Sequence, residues 1–269
     1  MAASFKKNQS IGIIGQGFVG RVLKSYYPDA KVYDIAPGNW DNLENVLAQN
    51  YIFIAVNFKD NGLSDKSRGE LEKYFSKMPA GRKVIFKSTL VPGVTDYFQE
   101  LYPKLFFCFN PEFLTEATAW EDFTQPQFQI LGFPKSAPEF SDELFELLPD
   151  AAEKKVMSAR EAETLKHAQN SYYAMKVVFF NQLYDACLNL GADYEKIREI
   201  LIKNPWIGDS HTIIWHKGYR GFSGKCLPKD IKAFLTVTDL PLLKTVLEIN
   251  SSLTSQTPLE LPEKTSEKL

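Results

Sequence analysis

Apolar and polar positions alternate in two different rhythms along the chain, and the change falls near residue 158. Before it, short apolar runs recur at 11–14 (IGII), 31–34 (KVYD), 51–56 (YIFIAV), 83–87 (KVIFK), 105–109 (LFFCF), 127–131 (QFQIL) and 154–157 (KKVM). They read as buried strands. Stretches of helical spacing lie between the first five, at roughly 18–27, 41–48, 68–77 and 93–102. Strand alternating with helix predicts a parallel sheet covered on both faces. From Ala159 to Leu190 there is neither glycine nor proline, and Leu165, Ala168, Tyr172, Met175, Phe179, Leu183 and Ala186 follow in steps of three and four. This predicts one helix, closed by Gly191 and about 48 Å long. Such length suits a helix that joins domains and packs on a second copy. Shorter helices are predicted near 193–203, 229–238 and 240–254, and residues 255–269 read as a disordered, proline-marked tail.

Composition adds little beyond a sizeable core. Of the 269 residues, 44% are hydrophobic and 24% charged, and the net charge is -2. That balance argues against a nucleic-acid surface, so any phosphate must be held by local donors. Cys108, Cys187 and Cys226 lie far apart without metal spacing, and His167, His211 and His216 show none either. No metal is predicted. Sparse, odd cysteines point to free thiols in a reducing compartment. No signal-peptide core and no membrane-spanning run is visible, so the expectation is a cytoplasmic protein without a membrane partner. Cys108 and Cys187 read as core residues.

Chemistry enters at Gly15, Gly17 and Gly20, a G-x-G-x-x-G directly after the first strand. The first glycine permits the tight turn, the second a close approach to a pyrophosphate, the third helix-on-sheet packing. The anion would rest on the N-terminus of the following helix, at Phe18 and Val19. Asp34, 19 residues after Gly15, ends the second strand and suits a ribose diol, which favours NAD over NADP. The expected architecture is therefore α/β: a Rossmann-type doubly wound parallel sheet over 1–157, then a long-helix all-α domain over 158–254.

Four further segments place polar residues where a plain core needs none. Ser88-Thr89-Leu90-Val91-Pro92-Gly93 follows a buried strand. Asn110-Pro111 reads as the cap and first turn of a helix, with Glu112 and Glu116 one turn apart on one face. Lys166 and Asn170 are four apart on the long helix. Gly221-Phe222-Ser223-Gly224-Lys225-Cys226-Leu227-Pro228-Lys229-Asp230 is the last.

With these segments the chain resembles the UDP-glucose/GDP-mannose dehydrogenases. IGQGFVG, KSTLVPG, NPEFLTEATAWEDF, the Lys166/Asn170 helix and GYRGFSGKCLPKD occur in the family's order across roughly residues 10 to 235. The resemblance implies a four-electron, NAD-dependent oxidation of a nucleotide sugar, most commonly UDP-glucose; the length of the helix 159–190 and its two-sided apolar surface, including Val177, Val178, Phe180 and Leu188, predict a homodimer through it. The resemblance also implies Cys226 as nucleophile and Lys166 and Asn170 on the reacting oxygen. Glu112 and Glu116 match the paired acids, Asp230 the acid near the cysteine, and Thr89 the threonine at the sugar and nicotinamide end, with Ser88 beside it at the cofactor. Phe113, Leu114, Arg220, Gly221, Phe222 and Lys229 fall among the implied substrate contacts. A thiolate fits that chemistry, because an aldehyde must become a tetrahedral adduct before a second hydride can leave.

The chain also departs from the family. Ser223 replaces a glycine, Asn57-Phe58 a usual Thr-Pro, and Trp206 an arginine offered to the neighbouring subunit. No stretch corresponds to the family's further α/β domain, so the resemblance predicts a short form. Two other readings stay open: a two-electron enzyme of the β-hydroxyacid type, which needs no cysteine, and an NAD-binding subunit without catalysis.

Overall fold

The computed structural model describes residues 10–255 except Leu63, Glu116, Lys217 and Lys225. Glu116 and residues 256–269 therefore lie outside the described residues. The chain packs as two compact units that part inside the long helix, between His167 and Ala168.

The first unit is built on strands β1 (Ile11–Ile14), β2 (Lys31–Tyr33), β3 (Tyr51–Ile54), β4 (Lys83–Phe86), β5 (Phe106–Phe109), β6 (Phe128–Phe133) and β7 (Glu153–Ser158). Helices α1 (Phe18–Tyr26), α2 (Leu43–Leu47), α3 (Asp65–Phe75), α4 (Val94–Leu101), α5 (Ala119–Thr124) and α6 (Ser141–Leu147) lie between them, and α7 (Ala159–Leu190) follows. The sheet order is β2-β1-β3-β4-β5-β6-β7. Apolar side chains line up across it in register: Ile13, Phe53, Ile85 and Cys108 form one buried row. On the other face Phe86 and Phe107 stack at 5.8 Å between centroids, with Phe75 edge-on at 5.1 Å to Phe107. Such rows remove whole aromatic faces from water, the dominant favourable term in a fold of this size. Burial also pushes the Cys108 thiol far above the ordinary range, so Cys108 is an inert core residue.

Two local features are not legible in the pattern. Strands β1 to β5 are parallel, but β6 meets β5 antiparallel, through the single register pair Phe109 and Gly132. β7 then runs parallel to β6. The second, a correction, concerns residues 111–115, which are not helical; the next helix begins only at Ala119. Asn110 stands at both. Asn110 is fully buried, and its Nδ2 donates to the Ile130 carbonyl at 2.8 Å and to Gln129 Oε1 at 3.3 Å. Its side chain joins two strands that share little ladder, and so it does not cap a helix.

The long helix begins on the first unit because small residues let it. A Cβ on Gly132 would stand 2.6 Å from Ala162 Cβ and 3.0 Å from Ala159 Cα. Its stripe also needs correction. Leu165, Tyr172 and Phe179, read as part of one apolar stripe, are 36%, 53% and 59% exposed. The buried stripe is rotated from it and largely polar: Ala159, Glu163, Lys166, His167, Asn170, Ala174, Val177, Val178 and Asn181.

The second unit packs the rest of α7 against α8 (Tyr194–Leu201), α9 (Leu227–Val237) and α10 (Pro241–Thr254). Ala174, Val178, Phe222, Ile231, Phe234, Leu243, Val246 and Leu253 form one core, and Phe180, Cys187, Tyr194 and Ile214 another. Val177, Val178 and Phe180, taken from sequence as part of a surface for a second copy, are thus inside their own unit; Leu188 is exposed. Among the described residues no helix is long and apolar enough to cross a membrane.

Candidate functional site

In the first unit the candidate residues gather at the carboxyl ends of the parallel strands, where open α/β sheets bind ligands. Gly15 follows β1 with φ +98°, a conformation open to glycine, and its N–H donates to the Tyr33 carbonyl at 2.8 Å. Gly20 packs so closely that a Cβ there would lie 1.8 Å from the Gly15 carbonyl oxygen. Gly17, the N-cap of α1, has nothing within 4 Å of where its Cβ would be. The turn is thus crowded on its sheet side and open at its middle glycine, in front of the Phe18 and Val19 amides. Asp34 sits beside it, accepting from the Gln16 N–H at 2.5 Å and from the Ala36 N–H at 2.7 Å. A bare glycine at the helix start with a carboxylate alongside fits the pyrophosphate and ribose of a dinucleotide.

The next strand ends carry Ser88 and Thr89. The Ser88 hydroxyl is directed at the carbonyls of Ile54 and Val56, at 3.1 and 2.7 Å, which ties β4 to β3; Thr89 is half-buried. Just before them is a residue that pattern reading passed over. Lys87 is buried and donates to Asn110 Oδ1 at 2.7 Å. Burial pulls its ammonium down to about 8, with Glu112 pulling the other way.

Lys166 is the second buried cation of this unit. Its Nζ donates to the Glu112 carbonyl at 2.7 Å, faces the Glu112 carboxylate at 3.2 Å and lies 5.3 Å from the Phe113 ring centre. Glu112 also accepts from the Leu114 N–H at 2.8 Å, so the carboxylate is braced by its own loop. Phe113 packs edge-on against Phe128 at 4.8 Å, and Leu114 packs on the sheet core. Lys166, Glu112 and Phe113 are therefore brought together. Glu116, their expected companion, is not among the described residues.

The second unit gathers the others. Cys226 is exposed, is not disulfide-bonded and occupies the N-cap position of α9, where the helix end favours negative charge. Pro228 sits in the first turn, and the Asp230 N–H donates to the Cys226 carbonyl at 2.9 Å. Asp230 is buried; its Oδ2 accepts from Asn170 Nδ2 at 2.6 Å and its Oδ1 faces Lys229 at 3.3 Å. Lys229 and Asp230 thus lie in the first turn after Cys226, and Asn170 of α7 bonds to Asp230.

The loop leading to Cys226 is held at two points. Arg220 is buried, donates to Asn181 Oδ1 and to the Asn181 carbonyl, and pairs with Asp185 at 2.8 Å. These contacts anchor the loop. Phe222 likewise points into the helical core. The second point is Asn250 on α10, which pattern reading also passed over. Its Oδ1 accepts from the Phe222 N–H at 2.7 Å and its Nδ2 donates to the Phe222 carbonyl at 2.9 Å. Gly221, at φ +73°, passes so close that a Cβ would stand 2.5 Å from Asn250 Oδ1. Asn250→Ala leaves both backbone groups of Phe222 buried and unsatisfied. Its unfolding free energy in urea should fall by about 3 kcal/mol, and an unchanged value would remove Asn250 as the loop's clamp.

Residues 160–252 match the profile of the UDP-glucose/GDP-mannose dehydrogenase family, central domain. A UDP-glucose 6-dehydrogenase of Rickettsia bellii is 30% identical over 178 residues, which are 62% of this chain and 40% of that protein. The structure of a UDP-glucose dehydrogenase from Pyrobaculum islandicum superposes with a TM-score of 0.74 at 23% identity, over 92% of this chain and 69% of that one. The same fold recurs in a Mycobacterium tuberculosis 3-hydroxyisobutyrate dehydrogenase, with a TM-score of 0.71 at 14% identity over 93% of this chain and 96% of that one. The chain spans about half the length, or less, of the curated UDP-glucose 6-dehydrogenases it matches. With the profile over the long helix and α9, and curated relatives reaching into the sheet, the chain is similar to the UDP-glucose/GDP-mannose dehydrogenases.

Proposed function

We propose that the protein oxidises the C6 alcohol of a nucleotide sugar to the carboxylate in two successive hydride transfers, with NAD as acceptor and UDP-glucose, giving UDP-glucuronate, as the first substrate to test. The observation that carries this reading is Cys226, an exposed thiol at the N-cap of α9 with the Asn170–Asp230 pair in the turn below it.

NAD, when bound, takes up the hydride. The chain's own groups do the rest. The open backbone at Gly17, with Phe18 and Val19, receives the pyrophosphate, and Asp34 the ribose hydroxyls. Lys166 stabilises negative charge on the alkoxide as the first hydride leaves and the aldehyde forms. The Cys226 thiolate then adds to the aldehyde carbon, making a C–S bond and a tetrahedral oxygen that Lys166 and Asn170 hold. Loss of the second hydride gives a thioester. Water attacks it, the C–S bond breaks, and the thiolate is restored as the carboxylate departs. One alcohol, one water and two NAD become one carboxylate, two NADH and three protons. Asp230 and, of the paired acids Glu112 and Glu116, Glu116 are assigned to the proton transfers.

The two-electron reading draws on the shared fold of the 3-hydroxyisobutyrate dehydrogenase structure, which concerns fold alone. An exposed cysteine at a helix start has no task in that chemistry. The test is NADH released per mole of substrate over a panel of UDP- and GDP-sugars. Two per substrate with one of them upholds the proposal. One per substrate, or none, rejects it.

The exposed stripe of Leu165, Tyr172 and Phe179 on α7 supports a homodimer through that helix, because an apolar stripe of this kind is covered at low cost by its own copy. A monodisperse monomer in a sedimentation run at micromolar concentration would reject the dimer.

A further inference from the structure

Helix α4 starts without a cap of its own. Its N-cap is Gly93, at φ +101°, which has no side chain to offer the exposed N–H groups of the first turn. They are satisfied from another helix. Glu163 on α7 is fully buried; its Oε2 accepts from the Gly93 N–H at 2.6 Å, and its Oε1 accepts from the Thr95 N–H at 2.9 Å and the Thr95 hydroxyl at 2.6 Å. One turn further along α7, the buried His167 Nε2 donates to the Leu90 carbonyl at 3.0 Å. Between them in sequence stands Lys166, which grips Glu112. One helix face therefore holds both loops that follow β4 and β5, with Glu163 and His167 on the first and Lys166 on the second.

Gly93 stands where a side chain is strained, and a buried carboxylate is a costly substitute for a local cap. What the Glu163 arrangement adds is a fixed tie between the Ser88–Gly93 loop and the helix bearing Lys166. We infer that Glu163 is a positioning residue, which sets the Ser88–Thr89 loop against Lys166 and so fixes the cofactor end of the site. The inference rests on the dinucleotide reading above and adds a coupling to it.

Three donors converge on two oxygens, so the ionised carboxylate is the form that fits. Burial pushes Glu163 up to about 7, against the three hydrogen bonds that hold it down. The charged and titratable groups around it are Asp96 on α4, and Arg160 and His167 on α7, with Arg160 paired to Asp96 at 3.2 Å. Protonation turns one acceptor oxygen into a donor facing donors, and Glu163→Gln does the same permanently.

The test compares the full chain with Glu163→Gln and with Thr95→Val, which removes one of the three bonds and leaves the carboxylate in place. Amide exchange should accelerate at 88–95 in Glu163→Gln while β4 and the end of α4 stay protected. The Kd for NAD should rise about tenfold in that variant at pH 8.5. The unaltered chain should show the same rise between pH 8.5 and pH 6, and Glu163→Gln should be flat across that range. Thr95→Val should move the same way by a smaller factor. Uniformly faster exchange through the whole unit, or an unchanged Kd and pH profile, would reduce Glu163 to a stability element and overturn the inference. Failure of the unaltered chain to bind NAD would overturn the dinucleotide reading and this inference with it, and that result is distinct because it involves no variant.

Discussion

In Cys226→Ser, the carboxylate product should vanish while the first NADH is still released. The alcohol-to-aldehyde step needs a hydride acceptor and a group to stabilise the alkoxide, and neither is the thiol. The aldehyde-to-acid step needs a tetrahedral adduct. Serine at the N-cap of α9 is close in size and a better cap than cysteine, so the fold should stand with its melting temperature within a few degrees. Its hydroxyl is a far poorer nucleophile than a thiolate without a base to activate it. Acid formation should therefore fall by at least about 10³-fold, and the NADH yield from a single turnover should halve. Trapping with an aldehyde-reactive amine separates this outcome from simple loss of binding. Unchanged turnover at one NADH per substrate would show a two-electron enzyme, and the exposed thiol would have no part in it.

The fold was readable in the chain wherever local pattern and tertiary need coincide. Ile11–Ile14, Tyr51–Ile54 and Lys83–Phe86 are buried runs bounded by turn residues, and their strands lie where the pattern puts them, to within two residues. Direction was not readable. A run such as QFQIL looks the same whether its strand runs parallel or antiparallel, and at β6 it is the antiparallel form that pairs with β5. The helix read at 110–115 was misread, since Asn-Pro signals a helix start locally and stands at a strand junction in this tertiary setting. On α7 the aromatic period pointed to one stripe, yet the chain buries a polar one. The apolar pattern could not reveal that Glu163, Lys166, His167 and Asn170 all have partners on other elements. The motif residues were legible as chemistry. The residues that hold them in place, Lys87, Glu163 and Asn250, were not, because each is defined by a contact distant in sequence.

The glycine turn separates fold from binding more cleanly than any other part of the molecule, and its two inner glycines should fail in opposite ways. A methyl group at Gly20 would enter the space of the Gly15 carbonyl oxygen, 1.8 Å away, and that oxygen belongs to backbone held by the sheet. Either α1 must lift from β1 or the turn must open, and both expose the buried packing of Leu23. Gly20→Ala should lose about 3 kcal/mol or more of unfolding free energy, at the severe end for a single substitution. At Gly17 the backbone is already at φ -69°, which alanine adopts freely, and a methyl group meets nothing within 4 Å. Gly17→Ala should melt with the unaltered protein or slightly above it, since alanine narrows the unfolded ensemble. The open space it fills is where a pyrophosphate would approach the Phe18 and Val19 amides, so the Kd for NAD should rise by about a hundredfold, the scale set by losing two charge-assisted hydrogen bonds. Urea unfolding and calorimetric titration on the two variants check both halves. If Gly17→Ala binds NAD as well as the unaltered chain, the pyrophosphate does not sit on α1, and the assignment of this turn to the cofactor fails even if the nucleophile proves correct.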